Sequence, residues 1–167
     1  MINKKYEIRK IIRSDQKFIK EMLYQAIYTP PEEERPPRSI LEEVKLKKYY
    51  SDFGNINDLG YIAIDKDTKK AVGAIWLRLF KKENKGWGYI SDDIPELSMA
   101  VDTIYRGKGI GKLLLSHILE NSIKIYPNIS LSVDLENYAK KIYEEFGFKE
   151  NYIEGTSMTM LLKRKNI

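Results

Sequence analysis

Tyr105-Arg-Gly-Lys-Gly-Ile-Gly-Lys-Leu-Leu-Leu115 carries glycines at 107, 109 and 111, with Arg106, Lys108 and Lys112 among and beside them. Glycines this dense leave a backbone that a ligand can approach closely. An apolar helix follows. Ile110, Leu113, Leu114, Ile118, Leu119 and Ile125 fall on one stripe of helical period, and Pro127 ends it. Upstream, Glu96 to Val101 (ELSMAV) alternates as a strand does. Leu97, Met99 and Val101 share one face; Glu96, Ser98 and Ala100 share the other. The glycines therefore sit between a strand and a helix.

Spacing decides which anion such a loop suits. A Walker A loop, G-x-x-x-x-G-K-[ST], needs its first glycine where Arg106 stands and its hydroxyl where Leu113 stands. A dinucleotide loop, G-x-G-x-x-G, needs its third glycine at Lys112 when started at Gly107, or at Leu114 when started at Gly109. Both fail. The pattern R-x-x-G-x-G fits, on Arg106, Gly109 and Gly111. A helix N-terminus offers unpaired N–H groups and a partial positive charge, and positions without side chains let a diphosphate sit on them. Arg106, Lys108 and Lys112 add charge around it. A tight turn would explain a lone G-x-G; the basic flanks and the strand–helix setting favour the anion site.

The chain has 167 residues, 43% of them hydrophobic, which suits a single domain over 1–167 with a real core. It has no cysteine, so a disulfide framework, a thiolate metal site and a thiol nucleophile are excluded. No apolar run approaches the ~18 residues of a membrane span. The charged start MINKKYEIRK does not read as a signal peptide. The expectation is a soluble cytoplasmic protein. Its net charge of +5 comes from lysines interleaved with glutamates, the mark of a solvated mixed surface. There is neither a clustered lysine–arginine helix nor an aromatic RNA-binding strand, so nucleic-acid binding ranks last among the functions considered.

The remaining elements follow from pattern. Tyr6 to Ile12 reads as a strand. Ser14-Asp15 can cap a helix that presents Phe18, Met22, Leu23, Ala26 and Ile27. Four prolines make Thr29 to Pro37 an exposed loop. Ser39 to Glu42 reads as a capping box opening a second helix that ends before Gly54. Leu59 to Asp65 and Ala71 to Phe80 form a hairpin; Ile129 to Val133 is a fifth strand. Asn137 to Phe146 is a short helix, and strands at Phe148 to Ile153 and Thr156 to Lys163 close the chain. The order is β-α-α-β-β-β-α-β-α-β-β, one mixed α/β domain.

The run ELSMAVDTIYRGKGIGKLLL resembles motif A of the GNAT superfamily of acyl-CoA-dependent N-acetyltransferases. Asn137-Tyr-Ala-Lys-Lys-Ile-Tyr143-Glu-Glu-Phe-Gly-Phe148 resembles its motif B, and the element order is similar along nearly the whole chain. The resemblance implies an α/β (α+β) GNAT-like fold: a mixed, mostly antiparallel sheet of about six to seven strands with about four helices, splayed between strands 4 and 5. It implies acetyl-CoA as co-substrate and no metal. The diphosphate would lie on Arg106, Gly107, Lys108, Gly109, Ile110, Gly111 and Lys112. The pantetheine arm would pair with Met99, Ala100 and Val101. Asn137 would contact the arm, and Lys140 would approach the cofactor's far end.

Acetyl transfer to an amine needs a neutral nitrogen, though free lysine-type amines have pKa values near ~10.4. It needs a donor to the oxyanion, here a backbone N–H near Met99 to Val101. It needs an acid near the leaving sulfur. Tyr143 falls on the motif B tyrosine and is the expected acid. Glu96 opens the fourth strand, where many members use a glutamate, and is the expected base. Helix spacing alone would make Tyr143 a core aromatic, and Glu96 could be an exposed strand-end carboxylate. Some N-terminal acetyltransferases of the family carry a glutamate in the fifth strand; Ser132 stands there in this chain. Asp92 and Asp93 with Trp87 and Tyr89 could form an acidic, aromatic mouth for a cation, or a solvated loop. Glu32 to Glu34 and Tyr49-Tyr50-Ser-Asp52 are further acceptor contacts to consider. His117 reads as a packing or surface residue. The expected acceptor is a small-molecule primary amine. The alternatives are a protein lysine or N-terminus, or a CoA-sensing domain without turnover. Homodimers are common in the family, which leaves a homodimer open.

Overall fold

The structure is a computed structural model and describes residues 3–165. Its strands are β1 (Tyr6–Lys10), β2 (Leu59–Asp65), β3 (Ala71–Arg78), β4 (Glu96–Val101), β5 (Asn128–Asp134), β6 (Lys149–Glu154) and β7 (Ser157–Lys163). Its helices are α1 (Gln16–Ala26), α2 (Val44–Lys47), α3 (Ile110–Ser122) and α4 (Ala139–Glu145), with 3₁₀ turns at Arg13–Asp15, Arg38–Glu42 and Thr103–Tyr105. Among the described residues the strands form one seven-stranded sheet in the order β1-β2-β3-β4-β5-β7-β6. β1 runs antiparallel to β2, and β7 antiparallel to both β5 and β6. β4 and β5 are parallel, with Glu96 opposite Ser130. This is the mixed seven-strand, four-helix GNAT-like arrangement that the resemblance implies. Among the described residues no helix is long and apolar enough to cross a membrane.

The chain forms two compact units. The first is the chain through Trp76 with Ser98–Ile118. In it α1 buries Ile19, Met22, Leu23 and Tyr24, so the inward face is turned from the predicted one and Phe18 is only half-buried. Asp15 does not cap α1 with its side chain. Its carboxylate accepts from the Ile12 N–H at 2.8 Å and from both ends of the Arg9 guanidinium at 2.7 and 2.9 Å. That pair holds the Asp15 carboxyl below its ordinary pKa. The predicted second helix is interrupted. Glu43 is extended, with ψ 140°, between the 3₁₀ turn and the one-turn α2. Leu41 and Leu46 explain the break: both are 2% exposed. Five residues of continuous helix would point them about 140° apart, and an extended residue lets both turn inward. Glu42, expected to close a capping box, is ion-paired with Lys20 instead.

The second unit is Leu77–Leu97 with the chain from Leu119 onward. Here α3 ends at Ser122, short of Pro127, and Ile125 is 60% exposed rather than part of the apolar stripe. The early ending follows from Arg164, just past β7. Its guanidinium donates to the carbonyls of Leu119 and Tyr126, each at 2.6 Å, and to Ser122 Oγ at 3.0 Å. A cation on the last carbonyls of a helix satisfies acceptors that the helix cannot. Arg164→Ala should therefore destabilise the fold by about 2–3 kcal/mol, a fall of about 5–10 °C in Tm for a chain this long. Calorimetric unfolding checks this, and an unshifted midpoint would show that water replaces the guanidinium at no cost.

Candidate functional site

In the first unit β4 delivers the chain to the glycine loop. The Asp102 N–H donates to the Val72 carbonyl at 2.8 Å, and Asp102 Oδ1 accepts from the Ile104 N–H at 3.2 Å, opening the 3₁₀ turn. Gly107 and Gly109 then take φ of 76° and 82°, the left-handed region that a β-carbon disfavours. A β-carbon on either would meet nothing within 4 Å. Gly111 differs: a β-carbon there would rest 3.5 Å from Met99 Cε, an ordinary contact. So glycine is demanded by conformation at 107 and 109, and both positions face open space.

α3 starts at once. Leu113 N–H donates to the Gly109 carbonyl at 3.1 Å, so the N–H groups of Ile110, Gly111 and Lys112 precede any acceptor the helix can supply. Ile110 is 2% exposed and pins this end, while Lys108 and Lys112 stay exposed. A helix N-terminus, two open glycines and two exposed lysines fit the chemistry of a diphosphate. Arg106, expected beside the diphosphate, also has partners within the fold. Its Nε donates to the Val101 carbonyl at 3.1 Å and its Nη2 to the Gln25 carbonyl at 3.2 Å. The guanidinium staples the end of β4 to the last turn of α1. Met99 lies against Gly111, and Val101 and the Ala100 carbonyl lie against Gly73.

In the second unit the start of β4 is locked to β5, the Ser130 N–H donating to the Pro95 carbonyl at 3.0 Å. Glu96 is 4% exposed, not the exposed strand-end carboxylate that the sequence left open. Its Oε1 accepts from the Gly88 N–H. Gly88 fits there because it has no side chain. A β-carbon would meet the Leu131 carbonyl carbon at 2.6 Å, Glu96 Oε1 at 2.7 Å and Ser132 N at 2.8 Å. Thr159 Oγ1 donates to the Trp87 carbonyl at 3.4 Å and steadies the same loop.

α4 packs on β5. It carries Tyr143, 6% exposed, whose ring meets Phe148 edge-on at 5.8 Å. Burial alone pushes the Tyr143 hydroxyl far above the ordinary tyrosine range, so it stays protonated. Asn137 Oδ1 accepts from the Ala139 N–H at 3.0 Å, fixing the entry to α4. Lys140 pairs with Glu144 at 2.9 Å along the helix.

Other predicted contacts divide. Asp92 accepts from the Tyr89 hydroxyl at 2.6 Å and from the Lys82 N–H at 2.9 Å, and Asp93 from Ser91 Oγ. The bond to Asp92 pushes the Tyr89 hydroxyl up to about 12. These carboxylates fold their own loop. Tyr49 and Tyr50 are core residues, 4% and 3% exposed; the Tyr49 carbonyl accepts from Trp76 Nε1 at 2.9 Å, and the Tyr50 hydroxyl donates to the Leu41 carbonyl. Glu32 to Glu34 are exposed. His117 packs edge-on to Tyr61, centroids 4.4 Å apart, as a packing residue should. The sequence reading missed Gly88 and Gln25. The glycines flanking Trp87 in KGWGYI were a faint signal for the first; nothing marked the second.

The family model of the Acetyltransferase (GNAT) domain matches residues 57–150. No curated protein matches the chain. Among solved structures it is similar to the PaiA N-acetyltransferase of Thermoplasma acidophilum in complex with coenzyme A, with 21% identity, TM-score 0.66, and 95% of this chain and 98% of that one covered. It is also similar to the spermidine/spermine N-acetyltransferase SpeG of Vibrio cholerae, with 21% identity, TM-score 0.60, and 95% and 92% covered. At such identities the likeness is one of fold. The family match spans more than half of the 167 residues, and with motifs A and B in register the chain belongs to the GNAT family of N-acetyltransferases.

Proposed function

We propose that residues 1–167 act as one acetyltransferase domain, moving an acetyl group from acetyl-CoA to a primary amine of a small molecule. The observation that carries the donor half is the glycine loop, where two left-handed glycines with open space around them lead directly into the N-terminus of α3. Gly107 to Lys112 would hold the diphosphate, and Met99 to Val101 would pair with the pantetheine arm. Acetyl-CoA supplies the activated acyl thioester. A small amine as acceptor draws support from SpeG, whose name gives spermidine and spermine as its substrates.

Glu96 takes the proton from the acceptor ammonium and leaves a neutral nucleophile. Its burial and the Gly88 N–H hold the carboxylate in one orientation, as a base in a positioned pair requires. Tyr143 gives its proton to the departing sulfur. Its buried hydroxyl keeps that proton at every physiological pH. Asn137 and Lys140 stand at the start of the helix that carries Tyr143 and would touch the donor there.

Acetyl-CoA at a hundred times its Kd should stabilise the protein by about 2.7 kcal/mol in a thermal melt. No shift would sink the donor reading. With binding in hand, a panel of primary amines and of peptides, read by free-thiol release, identifies the acceptor; release only with peptides would overturn the small-molecule reading.

Tyr143→Phe should lower kcat about 10²-fold and leave the Kd for CoA unchanged. Weakened CoA binding at an unchanged kcat would mark Tyr143 as a packing residue only. Glu96→Gln should lower kcat by a similar factor at pH 7. Its rate should climb as pH rises toward the acceptor's own pKa, near ~10.4 for a lysine-like amine, because solvent then removes the proton. A variant whose pH profile matches that of the wild type would rule Glu96 out as the base.

A further inference from the structure

The last turn of α1 connects two parts of the first unit that the sequence keeps far apart. On one side lies the proline-rich strap, 30–38. The Tyr24 hydroxyl donates to the Pro36 carbonyl at 2.7 Å. Arg35 donates to the Tyr24 carbonyl at 2.8 Å, and the guanidinium carbons of Arg35 and Arg38 lie 4.6 and 4.4 Å from the Tyr24 ring centroid. On the other side lies the approach to the glycine loop. Arg106 bonds the Gln25 and Val101 carbonyls, and Thr103 Oγ1 donates to Gln25 Oε1 at 3.0 Å across 78 positions of chain.

Gln25 is where the two sides meet. Its Nε2 donates to Glu21 Oε1 at 3.2 Å, and the other oxygen of Glu21 accepts from Arg38. The direction of each bond is fixed chemically. Glu21, held ionised by Arg38, only accepts, so the Gln25 amide must turn its NH₂ to Glu21 and its oxygen to Thr103. Glutamate at 25 could not do both, and an apolar residue could do neither. The Gln25 carbonyl, at the negative end of α1, also suits the Arg106 cation. One residue thus holds Thr103 with its side chain and Arg106 with its backbone, and both lead into Gly107.

We propose that Gln25 is a positioning residue for the glycine loop, and that through Glu21 it ties the Arg38 end of the strap to that loop. Their proposed part is not contact with the donor: they set the path by which the chain reaches the left-handed glycines. The proposal rests on the reading of that loop as the diphosphate site.

Calorimetric titration of the full chain with CoA tests it. Gln25→Leu keeps a good helix former and removes both side-chain bonds; it should weaken CoA about 5–10-fold. Thr103→Val should do the same, and Thr103→Ser, which restores the hydroxyl, should return the wild-type Kd. Arg38→Ala, one bond further off, should weaken CoA less, by about 2-fold. Wild-type affinity in both Gln25→Leu and Thr103→Val would overturn the proposal, as would a loss in Thr103→Val that Thr103→Ser fails to restore. No effect of Arg38→Ala would remove the link to the strap. If the wild type itself fails to bind CoA, the donor reading fails, and the tie is read by hydrogen exchange. The amides of 103–112 should then exchange faster in Gln25→Leu than in the wild type, and equal rates would overturn the proposal.

Discussion

An α-helix begins with N–H groups that nothing in the helix can accept, and where α3 begins much of this structure is arranged around that fact. The chain arrives from β4, turns through a 3₁₀ segment, and passes Gly107 and Gly109 in the left-handed region before Ile110 is buried. A β-carbon at 107 or 109 would strain the backbone without touching anything. The requirement for glycine is therefore conformational, and the space it leaves is open. The proposed anion site is thus a matter of backbone geometry, and its lysines add charge to a geometry that exists without them.

Backbone recognition of this kind has to be held still, because it has few rotamers with which to adapt. The hold comes from behind. Arg106 uses its guanidinium on the Val101 and Gln25 carbonyls, and Asp102 closes the turn beneath it. The basic residue most prominent in the motif thus also braces the loop from within the fold. The same division of labour recurs at the start of β4. Glu96 is the buried carboxylate proposed as the base, and Gly88 holds it through one N–H and a fit that admits no side chain.

The parts legible in the sequence are those fixed by neighbours. ELSMAV alternates and forms β4 over the predicted residues; the apolar stripe forms α3; the glycines mark the loop between them. What the sequence hid depends on partners far along the chain. The second helix breaks at Glu43 because Leu41 and Leu46 must both face inward, and no local pattern announces that. At the early end of α3, Arg164, more than forty residues on, takes the Leu119 carbonyl, the Ser122 hydroxyl and the Tyr126 carbonyl just beyond the helix. Tyr49 and Tyr50 look like surface aromatics beside Ser51 and Asp52, yet a core closes over them. Gln25 is a polar residue on a helix until Thr103 arrives.

This asymmetry explains why the donor can be read and the acceptor cannot. A diphosphate is recognised by main-chain N–H groups, and aiming main chain at a ligand restricts residue type to glycine at fixed spacing. That restriction is visible as letters. An amine is recognised by side chains on loops, and many residue types at many positions can supply a carboxylate or an aromatic face. The loops here show the consequence. Asp92 and Asp93 look wholly available to a cation in the sequence, but each gives its Oδ1 to its own loop, Asp92 to Tyr89 and Lys82 and Asp93 to Ser91. Glu32 to Glu34, in the proline-rich strap, remain exposed. Which carboxylates stand free for any ligand depends on partners that only the folded chain brings together.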